Sequence, residues 1–269
     1  MCNVLEVSQS GYYRWKRENR FEKRKGDTFL TVKVEELFEQ SRKTYGTRRL
    51  RRELKNEGIM IKDKRLSRLM KERGLKVITK RKFKVTTNSG HKKPVAENLL
   101  KDGIKSDGPN KVWVGDITYI WTREGWLYLA SVLEVWSRKI IGWCLSNRID
   151  KEIVIGAMKM AVNARNAAPG LIFHSDRGSQ YASNEFRTLL GGHDIIQSMS
   201  GKGKCYDNAM KESFFHTLKT ELVYQQTYNT RKEAELSIFE YIEVFYNRKR
   251  MHSSIGYVSP DFFEVANVK

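Results

Sequence analysis

The sequence predicts an α/β protein, in which a mixed sheet with flanking helices follows a small all-α domain. Two observations lead to this fold class. In the first hundred residues, apolar side chains recur at helical spacing among many Lys and Arg. From Lys111 onward, three β-like runs follow one another and then alternate with helical segments. A chain of 269 residues has room for two such domains.

The basic third of the chain predicts a helix-turn-helix module. Apolar residues fall on one helical stripe from Leu30 to Phe38, and the spacing repeats between Leu50 and Leu54. Asp63 is expected to cap a third helix, and Gly58 and Gly74 to end the second and third. Three short helices with glycine turns are typical of DNA-binding modules. The basic residues expected to reach phosphates are Arg48, Arg49, Arg51, Arg52, Lys64, Arg65 and Arg68.

The charge distribution supports this interpretation. Residues 1–100 carry 28 basic and 12 acidic groups, whereas residues 101–200 have a net charge of +2 and residues 201–269 of +1. A concentrated positive field attracts phosphate backbones, and the resulting affinity falls steeply with salt. A merely solvated basic surface is the alternative, but it would not concentrate the excess charge in one third. We therefore expect nucleic acid binding.

The remaining two thirds predict the sheet. The β-like runs at 112–121, 126–136 and 139–146 should form an antiparallel meander. A helix capped by Asp150 follows, with Ile153, Ala157, Met160 and Ala161 on one side and an end near Ala168-Pro-Gly170. Then come a strand at 171–176, a helix at 184–190, a strand at 195–199 and a helix from about residue 207 to 222. This order describes a ribonuclease H-like mixed sheet, with three antiparallel strands and then parallel strands.

The domain organisation is expected to have four parts: an N-terminal helix in residues 1–25, the basic helix-turn-helix domain in 26–85, a linker in 86–110 and the catalytic core with C-terminal helices in 111–269. Five tryptophans of the fourth part are expected to pack in the core and sheet: Trp113, Trp121, Trp126, Trp136 and Trp143. No apolar run approaches the roughly 20 residues that span a bilayer, and the start lacks the pattern of a signal peptide, so we expect a cytoplasmic protein. The cysteines Cys2, Cys144 and Cys205 lack the spacing of a zinc or disulfide site.

Three carboxylates carry most of the functional information. Asp116 lies inside an apolar run, Asp176 ends one, and Glu212 belongs to the last predicted helix. If the first and fourth strands are neighbours, the two aspartates lie side by side, and divalent cations would relieve their repulsion. Oxygen ligands without soft neighbours suit Mg²⁺ or Mn²⁺. Taken alone, Asp116 could equally be a structural acid paired with an arginine.

Five blocks of the sequence resemble the conserved motifs of a known protein family. They are Val112-Trp-Val-Gly-Asp-Ile-Thr-Tyr-Ile120, His174-Ser-Asp-Arg-Gly-Ser-Gln-Tyr181, Met199-Ser-Gly-Lys-Gly-Lys-Cys-Tyr-Asp-Asn-Ala209, Glu212-Ser-Phe-Phe215 and Tyr246-Asn-x-x-Arg-x-His-x-x-x-Gly-Tyr-x-Ser-Pro260. Together they are similar to the second-reading-frame transposases of bacterial insertion sequences, which belong to the retroviral integrase superfamily. The 35 residues between Asp176 and Glu212 match that family's spacing.

The resemblance implies a DNA transposase with Asp116, Asp176 and Glu212 as metal-binding catalytic acids and two Mg²⁺ or Mn²⁺ ions as cofactors. It also implies that Lys219 and Asn208 contact the end of the element. Lys219 taken alone would be a solvated surface lysine. The implied partners are double-stranded DNA, the first-reading-frame product of the same element and further copies of the chain. The implied location is the bacterial cytoplasm, at the nucleoid. A structure-specific nuclease of the same fold and a non-catalytic DNA-binding regulator are the alternatives.

Two departures from the family pattern stand out. Such sequences often have an aspartate at the position of Glu134, and because the acidity is retained we expect little effect. The helix-turn-helix and coiled coil that the first reading frame usually supplies do not precede Val4. We therefore expect the chain alone to bind DNA with little preference for the element's ends.

Overall fold

A computed structural model describes residues 2, 5–17, 20–78, 94–101, 103, 106–165, 168–201 and 209–267, with only the backbone described for 15–17, 20–27 and 209–212. Its internal contacts divide the chain into two compact units, Met1–Ile78 and Thr79–Lys269. Among the described residues, no helix is long and apolar enough to cross a membrane.

In the described residues of the first unit, all regular secondary structure is helical. It contains α1 (Gln9–Arg17), α2 (Arg20–Gln40), α3 (Thr47–Asn56) and α4 (Asp63–Glu72). The predicted apolar stripes form its core, where Val34, Phe38, Leu50, Leu54 and Leu66 are buried. Gly58 and Gly74 follow α3 and α4 with positive φ angles of 80° and 66°, as the predicted helix ends require. The α2 helix, with 21 residues, is longer than the short helix we expected.

The expected cap of α4 was wrong by one residue. Lys62 occupies the N-cap without a side-chain hydrogen bond, and Asp63 is the first helical residue. There its carboxylate still faces the positive end of the helix dipole. It also accepts a hydrogen bond of 2.8 Å from Arg51 of α3, so the side chain joins two helices instead of capping its own.

The second unit is built on a five-stranded sheet. Its strands are β1 (Val112–Thr122), β2 (Gly125–Glu134), β3 (Ile140–Ser146), β4 (Ile172–Ser175) and β5 (Ile196–Met199). Their order across the sheet is β3-β2-β1-β4-β5. The first three strands pair antiparallel, whereas β4 runs parallel to β1 and β5 runs parallel to β4. The predicted mixed sheet, with the first and fourth strands adjacent, is confirmed.

Helices cover both faces of the sheet. They are α5 (Lys151–Ala164), α6 (Asn184–Gly191), α7 (Ala209–Glu221), α8 (Arg231–Phe239), a π-helical segment (Glu240–Tyr246) and α9 (Pro260–Asn267), with 3₁₀ turns at Val223–Gln225 and Ser253–Ile255. The carboxylate of Asp150 caps α5 by accepting from the Glu152 amide at 3.2 Å, as predicted. Two cores result: α7 and α8 pack on the face that carries Val114, and α5 and α6 pack on the face that carries Trp113.

The predictions that Met160, Trp121 and Trp126 pack in the core were wrong. Met160 is exposed, and Met158 is buried in its place, because the inward face of α5 is turned toward the latter. Trp113 is buried as expected, but Trp121 and Trp126 are 55% and 42% exposed. Strand β4 pairs with β1 only from Val112 to Val114, so the far end of the β1–β2 hairpin extends past the pairing with β4.

Candidate active site

Asp116 and Asp176 occupy equivalent positions on neighbouring parallel strands. The β1–β4 pairing ends at Val114 opposite His174. Each aspartate lies two residues further along its chain, Asp116 inside β1 and Asp176 just after β4 ends, so the two residues lie side by side where β4 ends, on strands about 4.8 Å apart. Both side chains are half-buried. Two carboxylates held this close repel each other unless a proton or a cation is shared between them.

Hydrogen bonds from the backbone orient both acids. The Ile117 amide donates to Oδ1 of Asp116 at 2.7 Å. The Gly178 amide donates to Oδ1 of Asp176 at 2.9 Å, just after β4 ends. A Cβ at Gly178 would lie 3.0 Å from that oxygen, so the glycine allows the loop to close on the carboxylate. In both cases one oxygen is engaged by the backbone.

Tyr181 lies beneath the pair, and sequence reasoning gave it no role. Its side chain is buried and its ring packs against Phe173 and Phe186 at centroid distances of 5.9 and 5.5 Å. Burial raises the pKa of its hydroxyl well above 10, and the negative charges of Asp116 and Asp176 raise it further. The phenol is therefore neutral, and its pKa depends on the charges of both acids. Its presence in the second quoted block was the only signal in the sequence.

Gly115 makes room for this arrangement. A Cβ at this position would lie 2.3 Å from Cζ of Phe173 and 3.3 Å from the hydroxyl of Tyr181. Real side chains do not tolerate the first distance, so only glycine allows the aromatic ring to pack directly under the strand. The glycine that precedes Asp116 therefore makes room for Phe173 and Tyr181 against β1.

Lys219 of α7 is buried near Asp116. Its side chain is only 4% exposed, and its ammonium lies 4.3 Å from the centroid of the Tyr119 ring. Burial lowers the pKa of the amine to about 8, although the charge of Asp116 opposes that shift. The alternative of a solvated surface lysine is wrong, because the sequence cannot show that α7 presses this residue onto β1.

The third predicted acid belongs to the same helix. Glu212 is in the first turn of α7, but its side chain, like the whole of Asn208, lies outside the described residues. Phe214, Phe215 and Leu218 are buried and fix which face of α7 meets the sheet. Glu212 and Lys219 are seven residues apart, close to two helical turns, and so share one face. Within the described side chains, no group of three His, Cys, Asp or Glu could hold a metal ion.

A buried ion pair anchors the other end of α7. Arg250 donates to both carboxylate oxygens of Glu221, from Nε at 2.8 Å and from Nη2 at 2.7 Å. The hydroxyl of Tyr241 donates to the same carboxylate at 2.7 Å. Arg250 belongs to the fifth quoted block of the sequence. Through this ion pair, a residue of that block fixes the end of α7, the helix that carries Glu212 and Lys219. Sequence reasoning gave it no such role.

Two further polar residues have structural partners. His174 is buried, with Nδ1 2.9 Å from Oγ of Ser198 on β5, which suits hydrogen-bonding support. Glu134 is buried at the end of β2 and accepts hydrogen bonds from Asn110, Trp113 and Trp136. Burial raises the pKa of its carboxyl, and these donors oppose the shift. An acid at this position, where related sequences often have an aspartate, therefore serves as a hydrogen-bond acceptor at the end of β2.

The predicted DNA-binding residues of the first unit lie on α3 and α4. All except Arg49 are exposed, and the guanidinium of Arg49 lies 5.4 Å from the Tyr45 ring centroid. Two of the arginines also form ion pairs, Arg51 with Asp63 at 2.8 Å and Arg68 with Glu72 at 3.6 Å. The exposed residues leave a basic surface that can meet phosphates.

Comparisons with known families agree with both units. Residues 26–83 match an HTH-like domain, and residues 106–205 and 212–267 match two integrase core domain families. Among solved structures, the chain resembles the simian T-cell lymphotropic virus intasome in complex with the PP2A regulatory subunit B56 gamma. That match has a TM-score of 0.51 and 16% identity, and covers 68% of this chain and 61% of the other. It supports the fold, which is that of an integrase catalytic core.

Curated relatives extend over the whole length. A 31 kDa uncharacterized protein of the insertion element IS600 from Shigella sonnei is 45% identical over 263 residues, covering 98% of this chain and 97% of that protein. The transposase InsF for insertion sequence IS3A from Escherichia coli is 41% identical over 270 residues, covering 100% and 94%. The chain therefore belongs to the IS3 family of insertion-sequence transposases.

Proposed function

We propose that Asp116, Asp176 and Glu212 form the catalytic centre of a DNA-cleaving and DNA-joining enzyme. The integrase core supports a polynucleotidyl transferase. The observation that carries the residue assignment is the equivalent placement of Asp116 and Asp176 two residues beyond the last β1–β4 pair. A structural acid paired with an arginine would not require a second carboxylate beside it.

The same placement fits divalent cations. Two half-buried carboxylates on adjacent strands, with Glu212 on the helix packed against them, offer hard oxygen ligands that suit Mg²⁺ or Mn²⁺, and we propose two ions. Such ions, when bound, neutralise phosphate charge and lower the pKa of a coordinated water or hydroxyl. The backbone amides of Ile117 and Gly178 hold the two aspartates in position for this role.

The proposed reaction has two steps. Water first attacks a phosphodiester at the end of the element and releases a 3′-hydroxyl. That hydroxyl then attacks a phosphodiester of the target, so one bond forms as another breaks, without ATP or a covalent protein intermediate. The protein contributes positioning and charge neutralisation. Lys219 brings a cation next to Asp116, where it would contact the entering phosphate, and Asn208 would contact the same strand.

The first unit would hold the DNA. The surface of α3 and α4 supplies the proposed phosphate contacts: Arg48, Arg49, Arg51, Arg52, Lys64, Arg65 and Arg68. Boundaries near residues 25, 85 and 110 remain part of this proposal. The first-reading-frame product would supply recognition of the element's ends, and bringing two ends together requires at least two copies of the chain. Acting on chromosomal DNA would place the protein in the cytoplasm, at the nucleoid.

A strand-transfer assay tests the proposal. The protein is incubated with Mg²⁺, duplexes that carry the element's ends with labelled 3′-hydroxyls, and an unlabelled plasmid, in the presence of the first-reading-frame product. Label covalently joined to the plasmid is the expected result. Shortened labelled strands without joined product would identify a nuclease. DNA binding without cleavage would identify a regulator, and both of these results would overturn the proposal.

A further inference from the structure

An exposed group of aromatic side chains lies at the far end of the β1–β2 hairpin. The ring of Trp126 makes edge contacts with Tyr119 and Trp121 at centroid distances of 5.1 and 4.8 Å. We call these three residues the hairpin aromatic cluster. Trp121 and Trp126 remain 55% and 42% exposed despite these contacts. Exposed neighbouring indoles are costly in water and commonly mark a binding surface.

The pairing of the strands keeps the cluster on one face. Trp121 is directly opposite Trp126, and Tyr119 is two residues back on the same side of β1. The ring contacts are edge-to-face, so each contact covers one face of only one of its two rings, whereas a parallel stack covers one face of each. Aromatic faces that are accessible in this way can stack against planar ligands.

The cluster is continuous with the candidate active site. Lys219, buried beside Asp116, points its ammonium at the Tyr119 ring. Along β1, Tyr119 is three residues and Trp121 five residues beyond Asp116, or about 10 and 17 Å at roughly 3.4 Å per residue, and the alternation of the strand turns both side chains to the side opposite Asp116. A DNA strand that continues along the hairpin from a phosphate held at the acids would reach the cluster within a few nucleotides.

Cationic groups flank the cluster. The guanidinium of Arg231, at the start of α8, donates from Nε to the carbonyl of Trp126 at 3.2 Å. Arg123 in the hairpin turn is exposed. Glu124 of the same turn accepts from the Arg231 backbone amide at 2.8 Å, so its carboxylate is engaged at the start of α8. Aromatic faces with arginines beside them suit a nucleic acid strand whose bases are unpaired.

We infer that the hairpin aromatic cluster binds unpaired nucleotides of a DNA strand that enters or leaves the active site. This inference rests on the proposed DNA-processing function and adds a site to it. Bases of an intact duplex are stacked on one another and cannot cover the indole rings. The cluster should therefore favour DNA whose strands are separated near the cleaved end, with little dependence on base sequence.

Binding of the full-length chain to two fluorescent duplexes tests this inference. One duplex is blunt and the other carries a single-stranded tail of six thymidines, and both are titrated without Mg²⁺ so that no cleavage occurs. The wild type should prefer the tailed duplex. Trp126→Ala should weaken binding of the tailed duplex about tenfold, within the range for one lost base stack, and leave the blunt duplex unchanged.

Matched variants separate stacking from folding. Trp126→Phe retains an aromatic face and should keep most of the preference for the tail. Phe262→Ala removes a ring that is 60% exposed on α9 and should have no effect. Trp121→Ala gives a second, independent loss at the same surface. Thermal unfolding of each variant identifies any that fail to fold.

Three outcomes would overturn the inference: an unchanged tail preference in both tryptophan variants, an equal loss on both duplexes, or a loss of self-association in Trp126→Ala that would make the cluster a contact between copies of the chain. Failure of the proposed function is recognised separately, by measuring Mg²⁺-dependent nicking with the wild type. A wild type that does not nick but still shows a tail preference lost in Trp126→Ala would leave the binding site standing without the proposed chemistry.

Discussion

The buried pair between Glu221 and Arg250 yields the sharpest prediction about stability. Both side chains are less than a tenth exposed, and Arg250 donates two hydrogen bonds to the carboxylate. Arg250→Met keeps an unbranched apolar chain in place of the arginine stem but leaves Glu221 buried without its cation. Removal of one partner from such a pair costs about 3–5 kcal/mol. Each lost charge-assisted bond accounts for about 1.5–3 kcal/mol, which agrees with that range.

Urea unfolding of the wild type and three variants measures this cost. The double variant Glu221→Met/Arg250→Met should recover most of the loss, because it removes the unpaired charge together with its partner. Arg51→Met is the matched control, since its hydrogen bond to Asp63 is also 2.8 Å but both side chains are about half exposed. This exposed pair should contribute no more than about 1 kcal/mol.

The same variants report on function. Because Glu221 is at the end of α7, a loosened anchor should move the helix that carries Glu212 and Lys219. Cleavage by Arg250→Met should fall even in conditions where the variant remains folded. A loss of less than about 1 kcal/mol in Arg250→Met, or equal losses in it and in Arg51→Met, would refute the argument that burial gives this pair its importance.

Three further predictions concern charge and packing. Lys219 has a pKa of about 8 in the folded chain against 10.5 when exposed, so the unfolded state binds more protons between these values and stability rises with pH there. The unfolding free energy of the metal-free wild type, relative to Lys219→Met, should therefore rise by up to roughly 3 kcal/mol between pH 7 and 10.5, and a flat difference in urea titrations would contradict the assigned pKa. Gly115→Ala should destabilise by about 1–3 kcal/mol in thermal unfolding because its methyl overlaps an aromatic ring, and an unchanged transition would show that the ring can move. The logarithmic salt dependence of duplex binding should become shallower by about 0.9 for each phosphate contact removed when alanine replaces Arg48, Arg52 and Lys64. Lys159→Ala on α5 is the control, and an equal change in both proteins would remove the role assigned to α3 and α4.

Most of the fold could be predicted because its signals are local. The apolar run around Asp116 predicts a strand, and helical spacing with glycine stops predicts α3 and α4. The adjacency of β1 and β4 followed from recognising the order of elements. Once β1 and β4 are taken as parallel neighbours, their register places Asp116 beside Asp176.

The larger errors concern contacts between elements distant in sequence. Lys219 is buried because α7 presses it onto Tyr119 of β1, and nothing near Lys219 in the sequence signals that contact. Glu221 and Arg250 are 29 residues apart in sequence. Trp121 and Trp126 have the same local pattern as buried strand residues, but their end of the hairpin lies beyond the residues that pair with β3 and β4, and both side chains stay exposed.

Single-turnover cleavage measured together with DNA binding tests the central claim most directly. With Mg²⁺ present, Asp116→Asn, Asp176→Asn and Glu212→Gln should each reduce cleavage by at least about 10³-fold, because each substitution removes a charge that is proposed to hold the metal. DNA affinity in the same samples should stay within about threefold of the wild type, since the proposed phosphate contacts lie on α3 and α4. Normal cleavage by any one of the three variants would contradict the assignment of that residue to the catalytic centre.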